Sequence, residues 1–118
     1  MKSNPIETKS FDFAVRCVRL YKHLTENKNE YVISKQFLRS GTSIGANVSE
    51  AERGQSKADF ISKMSIALKE ANETDYWLRL LYASNYLQDV EFESMDRDLN
   101  EIIGILVSIC KTASQNIK

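Results

Sequence analysis

The chain has one proline, four glycines, one histidine and two cysteines in 118 residues, and each scarcity removes a class of protein. So little proline and glycine leaves no material for the many tight turns of an all-β fold. A single histidine, His23, supplies too few ligands for a di-metal carboxylate site, which needs a Glu-x-x-His set on each of two helices. It also leaves no histidine and carboxylate at a recognisable spacing to activate a serine or cysteine, so no catalytic residue is assigned and an enzyme is not expected. Cys17 and Cys110 form no CxxC, and each falls in an apolar helical context where cysteine packs as a small hydrophobe. Neither GxxxxGK nor GxGxxG occurs, so no cofactor, metal or small-molecule substrate is expected. Apolar runs are only a few residues long and MKSNPIETKS lacks a hydrophobic region, so neither a membrane span nor a secretory signal is expected. The expected location is cytoplasmic. Finally, 16 Lys/Arg balance 16 Asp/Glu, which argues against a strongly basic nucleic-acid binder.

What the chain does have is helical periodicity throughout. Its length suits one domain, residues 1–118, and the 3.6-residue pattern predicts four helices over about 5–27, 32–54, 57–85 and 90–115. Asn4, Pro5 and Glu7 form a start signal for the first helix, with Ser10 a competing start, and Ile6, Phe13, Cys17, Leu20, Tyr21 and Leu24 form its stripe. Ile33, Phe37, Ile44, Val48 and Ala51 form the stripe of the second helix, which ends near Gly54 as a C-terminal cap. Ser56 with Asp59 opens the third helix. Phe60, Met64, Ala67, Leu68, Ala71, Leu78 and Leu81 are its main stripe, widened by Ile61, Ile66, Trp77, Leu80 and Tyr82. A helix apolar over so much of its circumference is contacted from two sides, and a second subunit is one such contact. Asp89 is the expected cap of the fourth helix, where Phe92, Met95, Leu99, Ile102, Leu106, Ile109 and Ala113 alternate steps of three and four. Ile103, Val107 and Cys110 broaden the carboxy-terminal half of that seam. Short connections favour an antiparallel up-and-down bundle, which is the fold class expected.

The second helix is unusual. Gly41 and Gly45 lie inside it among Ser40, Ser43, Ala46 and Ser49, and each interior glycine costs about 1 kcal/mol relative to alanine. That cost implies another helix packed closely against this one. A polar seam of Arg39, Ser40, Ser43, Asn47 and Glu50 faces Glu70, Glu73 and Asp75 of the third helix. If the hairpin turns about Gln55, Arg39 comes within reach of Glu70 or Glu73, and an ion pair fixing helix register or a subunit interface is expected.

Charge is unevenly placed despite the zero net value. Basic residues are in excess in the first half and acidic ones in the second, where Asp89, Glu91, Glu93, Asp96, Asp98 and Glu101 are met only by Arg97. A solvated helix start or complementarity with a basic neighbour accounts for them. Arg16, Arg19 and Lys22 lie off the first helix's apolar stripe. Such a triplet is most often an exposed face, and otherwise a contact for phosphate or for acidic residues of a neighbour; together with Lys9 and Lys35 these are the candidate contacts for RNA or DNA.

The order Gln36, Leu38, Arg39, Ser40, Ser43, Ile44, Asn47, Val48, Glu50, then Phe60, Ala67, Glu73, Thr74 and Leu78 resembles the 23S rRNA-intervening-sequence proteins. The similarity extends from about Phe11 to Thr112. Many relatives carry glycine after the glutamate of the second helix, where Ala51 stands here. The resemblance implies an antiparallel four-helix bundle assembling as a ring-shaped homopentamer, in a largely bacterial family without an established activity. A related accessory protein of diversity-generating retroelements forms a similar barrel that binds nucleic acid and a reverse transcriptase through a basic surface. The expected function is therefore a non-enzymatic homo-oligomeric scaffold or adaptor. The alternative is an RNA- or DNA-binding accessory protein, with nucleic acid or a nucleic-acid enzyme as partner.

Overall fold

In a computed structural model, residues 5–116 are described, and they form four helices: α1 (Pro5–Lys28), α2 (Ile33–Glu52), α3 (Lys57–Ala83) and α4 (Asp89–Asn116). No strand occurs among the described residues. Each helix packs on its neighbours in the chain and α1 also packs on α4, whereas the backbones of the diagonal pairs stay apart. The result is a four-sided arrangement around one core, 48 × 26 × 20 Å. Burial follows the expected stripes. Ile6, Phe13, Cys17 and Leu24 of α1, Phe37, Ile44 and Val48 of α2, Met64, Ala67, Ala71, Leu78 and Leu81 of α3, and Leu99, Ile102 and Leu106 of α4 are all sealed from solvent.

The glycines of α2 explain how closely α1 approaches. A Cβ on Gly41 would lie 2.5 Å from Cys17 Sγ and 3.7 Å from Thr74 Cγ2, so α1 and α3 both converge there. A Cβ on Gly45 would lie 3.2 Å from the Ser10 carbonyl oxygen. Ser10 is thus an interior, buried residue of α1 and not its start. Asn4, the other expected start, lies outside the described residues.

The helix ends depart from expectation in three places. Gly54 does follow α2, but no glycine has positive φ, so it is not a left-handed cap. Its space is limited instead by the Ala51 carbonyl oxygen, 3.1 Å from where a Cβ would stand. Left-handed residues do occur after α1 and α3, as Asn29 (φ 55°) and Asn85 (φ 69°). At Asn85 the N–H bonds the Tyr82 carbonyl at 3.1 Å and the Tyr86 N–H bonds that of Leu81 at 2.9 Å, the paired closure that satisfies orphan carbonyls at a helix end. Asp89 is the first residue of α4 and accepts from the Tyr82 hydroxyl at 2.6 Å, while Glu91 reaches back to the Gln88 N–H at 2.8 Å and does the capping. Ser56 caps α3 as its sequence suggests, accepting from the Asp59 N–H at 3.1 Å.

The start of α2 uses a device the sequence did not announce. Val32 occupies the cap position and has no side-chain bond to give. The buried Glu30 carboxylate supplies it, accepting from the N–H groups of Val32 and Ile33 at 3.0 Å and Ser34 at 2.6 Å. Ser34 Oγ closes the loop by donating to the Glu30 carbonyl at 2.8 Å. Burial pushes the Glu30 carboxyl up, but the backbone donors of Ile33, Ser34 and Val32 outweigh it and hold the group below the ordinary carboxylate range.

Candidate assembly surfaces

Three surfaces gather the polar and apolar groups singled out above. The first is the α1/α4 seam. Arg16 donates to Asp98, to Ser94 Oγ at 2.8 Å and to the Ser94 carbonyl at 3.4 Å, and Lys9 pairs with Glu101 at 3.1 Å. Two of the five cations considered for nucleic acid are therefore engaged by the acidic run of α4. Arg19, Lys22 and Lys35 are in no ion pair among the described residues. Arg19 lines a shallow hollow with Arg16, Leu20, Glu91 and Met95, so a carboxylate lies on that surface as well.

The second is the α2/α3 polar seam. Its hydroxyl and amide groups are satisfied mostly along their own helices. Buried Ser40 donates to the carbonyls of Gln36 at 3.0 Å and Phe37 at 3.3 Å, and Asn47 Nδ2 donates to the Ser43 carbonyl at 2.8 Å and its Oγ at 3.2 Å. Thr74 bonds the Glu70 carbonyl at 2.7 Å. The link between the helices is Lys63 to Glu50 at 3.0 Å. The expected ion pair from Arg39 to Glu70 or Glu73 does not form within the chain. Glu50 meets Lys63 and Gly41 meets Thr74, so the facing residues are set some three to five positions later than a turn about Gln55 gives. Glu70 is then about a turn away from Arg39, and Glu73 accepts from Trp77 Nε1 at 3.1 Å.

The third is apolar and exposed. Along α1, Phe11, Ala14, Val18 and Tyr21 recur in steps of three, four and three on a face separate from the core stripe, with Phe11 67% and Val18 41% exposed. Along α3, Ile66 is 40% and Tyr76 52% exposed, and Tyr76 meets half-buried Trp77 edge to face with ring centroids 4.9 Å apart. The doubly apolar reading of α3 divides in two. Trp77 and Tyr82 pack on the core, Tyr82 stacked on Phe92 at 4.2 Å, while Ile66 faces out. Tyr21 lies at the edge shared by this row and the core stripe, which hides the row in the sequence; its signal is the heptad spacing from Phe11 onward. A further apolar groove of about 390 Å³ separates the start of α3 from the broad end of α4, lined by Phe60, Ile61, Ile109 and Ala113 among others.

No group of three or more His, Cys, Asp or Glu suited to a metal occurs among the described residues. Burial pushes the Cys17 thiol far above its ordinary value, with Arg16 a lesser opposing influence. No helix among the described residues is long and apolar enough to cross a membrane.

Residues 2–108 match the sequence model of the 23S rRNA-intervening sequence protein family. The chain belongs to that family. A solved structure from Bacteroides thetaiotaomicron, described as a protein with unknown function from the S23 ribosomal protein family, is similar over 90% of this chain and 98% of its own. The two are 57% identical with a TM-score of 0.88. No curated protein matches the sequence. Membership thus accords with the residue order centred on Arg39, Ser40, Ser43 and Asn47, and it brings with it a four-helix all-α fold in a family whose structural representative has unknown function.

Proposed function

We propose that this 23S rRNA-intervening sequence protein is a non-enzymatic scaffold or adaptor that acts in the cytoplasm as a closed homo-oligomer. In this reading each subunit is an antiparallel up-and-down bundle and five copies form a ring. The direction of the helices is supported by contacts that run in opposite senses: Lys9 meets Glu101 whereas Arg16, farther along α1, meets Asp98 and Ser94. The observation that carries the assembly is the exposed apolar row on α1 together with exposed Ile66 and Tyr76 on α3. A folded domain that buries Phe13, Phe37 and Met64 completely yet leaves Phe11, Val18, Ile66 and Tyr76 to water has surface to cover. The count of five rests on family resemblance. Light scattering on the purified chain tests the reading, and a monomer at micromolar concentration defeats it.

The nucleic-acid alternative depends on Arg19, Lys22 and Lys35, because Lys9 and Arg16 are already paired. Repetition around a ring would multiply these few charges. It requires binding to ribosomal RNA or duplex DNA that weakens steeply with salt in a mobility assay.

A further inference from the structure

We infer that the groove between the start of α3 and the end of α4 is a binding site for a medium-chain aliphatic carboxylate. The inference goes beyond the scaffold reading and does not depend on how many copies assemble. It rests on the shape, the lining and the charge of this one end of the bundle.

The shape follows from the core stripes. Met64 of α3 and Leu106 of α4 are sealed from solvent, whereas the next residues of the same stripes toward this end, Phe60 and Ile109, are half-buried. Ile61 and Ala113 beside them are half-buried too. These side chains line a groove of about 390 Å³. Small-ligand sites commonly measure about 300–1,000 Å³ and are mostly apolar with a few placed polar groups.

The groove is also elongated. Ser65 Oγ lies 4.0 Å from Cys110 Sγ, so those two residues stand level on the two helices. With α3 and α4 running in opposite directions, as proposed above, Lys57 lies about 12 Å from that level toward the end of the bundle, at 1.5 Å per residue. Ala113 lies about 4.5 Å toward the same end and Ile109 about 1.5 Å the other way. From Ile109 to Lys57 the lining therefore runs roughly 13 Å. A zigzag of C–C bonds near 1.5 Å advances about 1.25 Å per carbon, so roughly eight to ten carbons fill that length.

Polarity selects the head group. Lys57 is the one charged side chain among the described residues of the lining, and it stands at the outer end. It is in no ion pair among the described residues. Asp59, the carboxylate of the same helical turn, lines a different hollow with Arg53 and Lys63 and so does not neutralise it. The hydroxyls of Ser108 and Thr112 complete the polar edge. An apolar chain with one anion at its end matches this layout: the methylenes lie along Ile109, Ile61 and Phe60, and the carboxylate meets the Lys57 ammonium at the mouth.

Calorimetric titration of the purified full chain with sodium hexanoate, octanoate, decanoate and dodecanoate, each below its micelle concentration, tests the site. The expected result is one carboxylate per chain, with affinity rising about two- to fourfold per methylene as far as decanoate and levelling off at dodecanoate. Lys57→Met should weaken octanoate roughly fivefold and leave 1-octanol unchanged, while Lys57→Arg keeps the affinity. Ala113→Leu should block the groove and abolish binding, and Ile61→Ala, which removes lining, should weaken decanoate as a second check if the leucine variant melts early. No binding of decanoate at millimolar concentration overturns the inference, and that is the outcome if a second copy covers the groove. Affinity independent of chain length, or binding that survives Ala113→Leu and Lys57→Met alike, overturns it equally.

Discussion

Replacing Glu30 should be among the most damaging single changes outside the apolar core. Its carboxylate accepts the first backbone donors of α2 from Val32, Ile33 and Ser34 at 2.6–3.0 Å, at a helix start whose cap residue has no side-chain bond of its own. A lost cap costs about 1 kcal/mol and a hydrogen bond to a charged group about 1.5–3 kcal/mol, with water recovering part at the surface, so Glu30→Ala is expected to cost about 2–3 kcal/mol. Glu30→Gln keeps the shape and one acceptor oxygen but not the charge, and should cost about half as much. For a domain of this size 1 kcal/mol corresponds to about 4 °C, so the alanine variant should melt roughly 8–12 °C lower at pH 7. The pH dependence follows from the direction of the shift. Because the folded-state value is lowered, the ionised carboxylate contributes fully above the unfolded value of about 4.3, and the contribution is lost as pH falls through the folded value. The gap between wild type and Glu30→Gln should therefore narrow from pH 5 to pH 3. Thermal melts at matched protein concentration measure both quantities. A shift of a degree or less at pH 7, or a gap that does not narrow in acid, refutes the capping account.

Other expectations concern packing and charge. Gly41→Ala places a methyl group 2.5 Å from Cys17 Sγ and should cost about 1–3 kcal/mol, less the helix propensity gained; adding Cys17→Ala should recover part of the loss in a double-mutant cycle. Gly104→Ala meets nothing within 4 Å and should stabilise by about 0.5–1 kcal/mol through helix propensity; destabilisation in the assembled protein would place that face in a contact between copies. Arg16→Ala removes the bonds to Asp98 and Ser94 at a partly exposed site and should cost about 1 kcal/mol, with the ionic part fading in high salt during denaturant titration. Thiol titration should find Cys17 silent until the chain is unfolded.

The four helices were legible because each carries an apolar stripe at the helical period, and the sealed apolar core is drawn mainly from those stripes, with Leu20, Ile33, Phe60, Leu68, Phe92 and Ile109 half-buried at its edges. Gly41 and Gly45 were legible for a related reason: two glycines in one helix imply a close neighbour, and α1 is that neighbour. The acidic run of α4 and the basic residues of α1 were each visible as charged faces, but which meets which was not: Arg16 with Asp98 and Lys9 with Glu101 depend on α1 lying beside α4. Local sequence did not disclose Glu30, because its carboxylate acts from two residues before the cap position and the usual search begins at that position. The Arg39 pairing failed for want of register. A difference of three to five facing positions moves Glu70 about one turn away and leaves Glu73 to Trp77. Buried Thr74 was likewise hidden, since its hydroxyl is satisfied by the Glu70 carbonyl and its methyl faces Gly41.

The central claim is that this chain works as a closed assembly of its own copies. Its most direct test is the mass of the purified protein in solution, by light scattering across a range of concentrations or by native mass spectrometry. Five copies of a 13.5 kDa chain give about 67 kDa, and a single species near that mass with no larger series is the expected result. A species of 13.5 kDa at micromolar concentration contradicts the account.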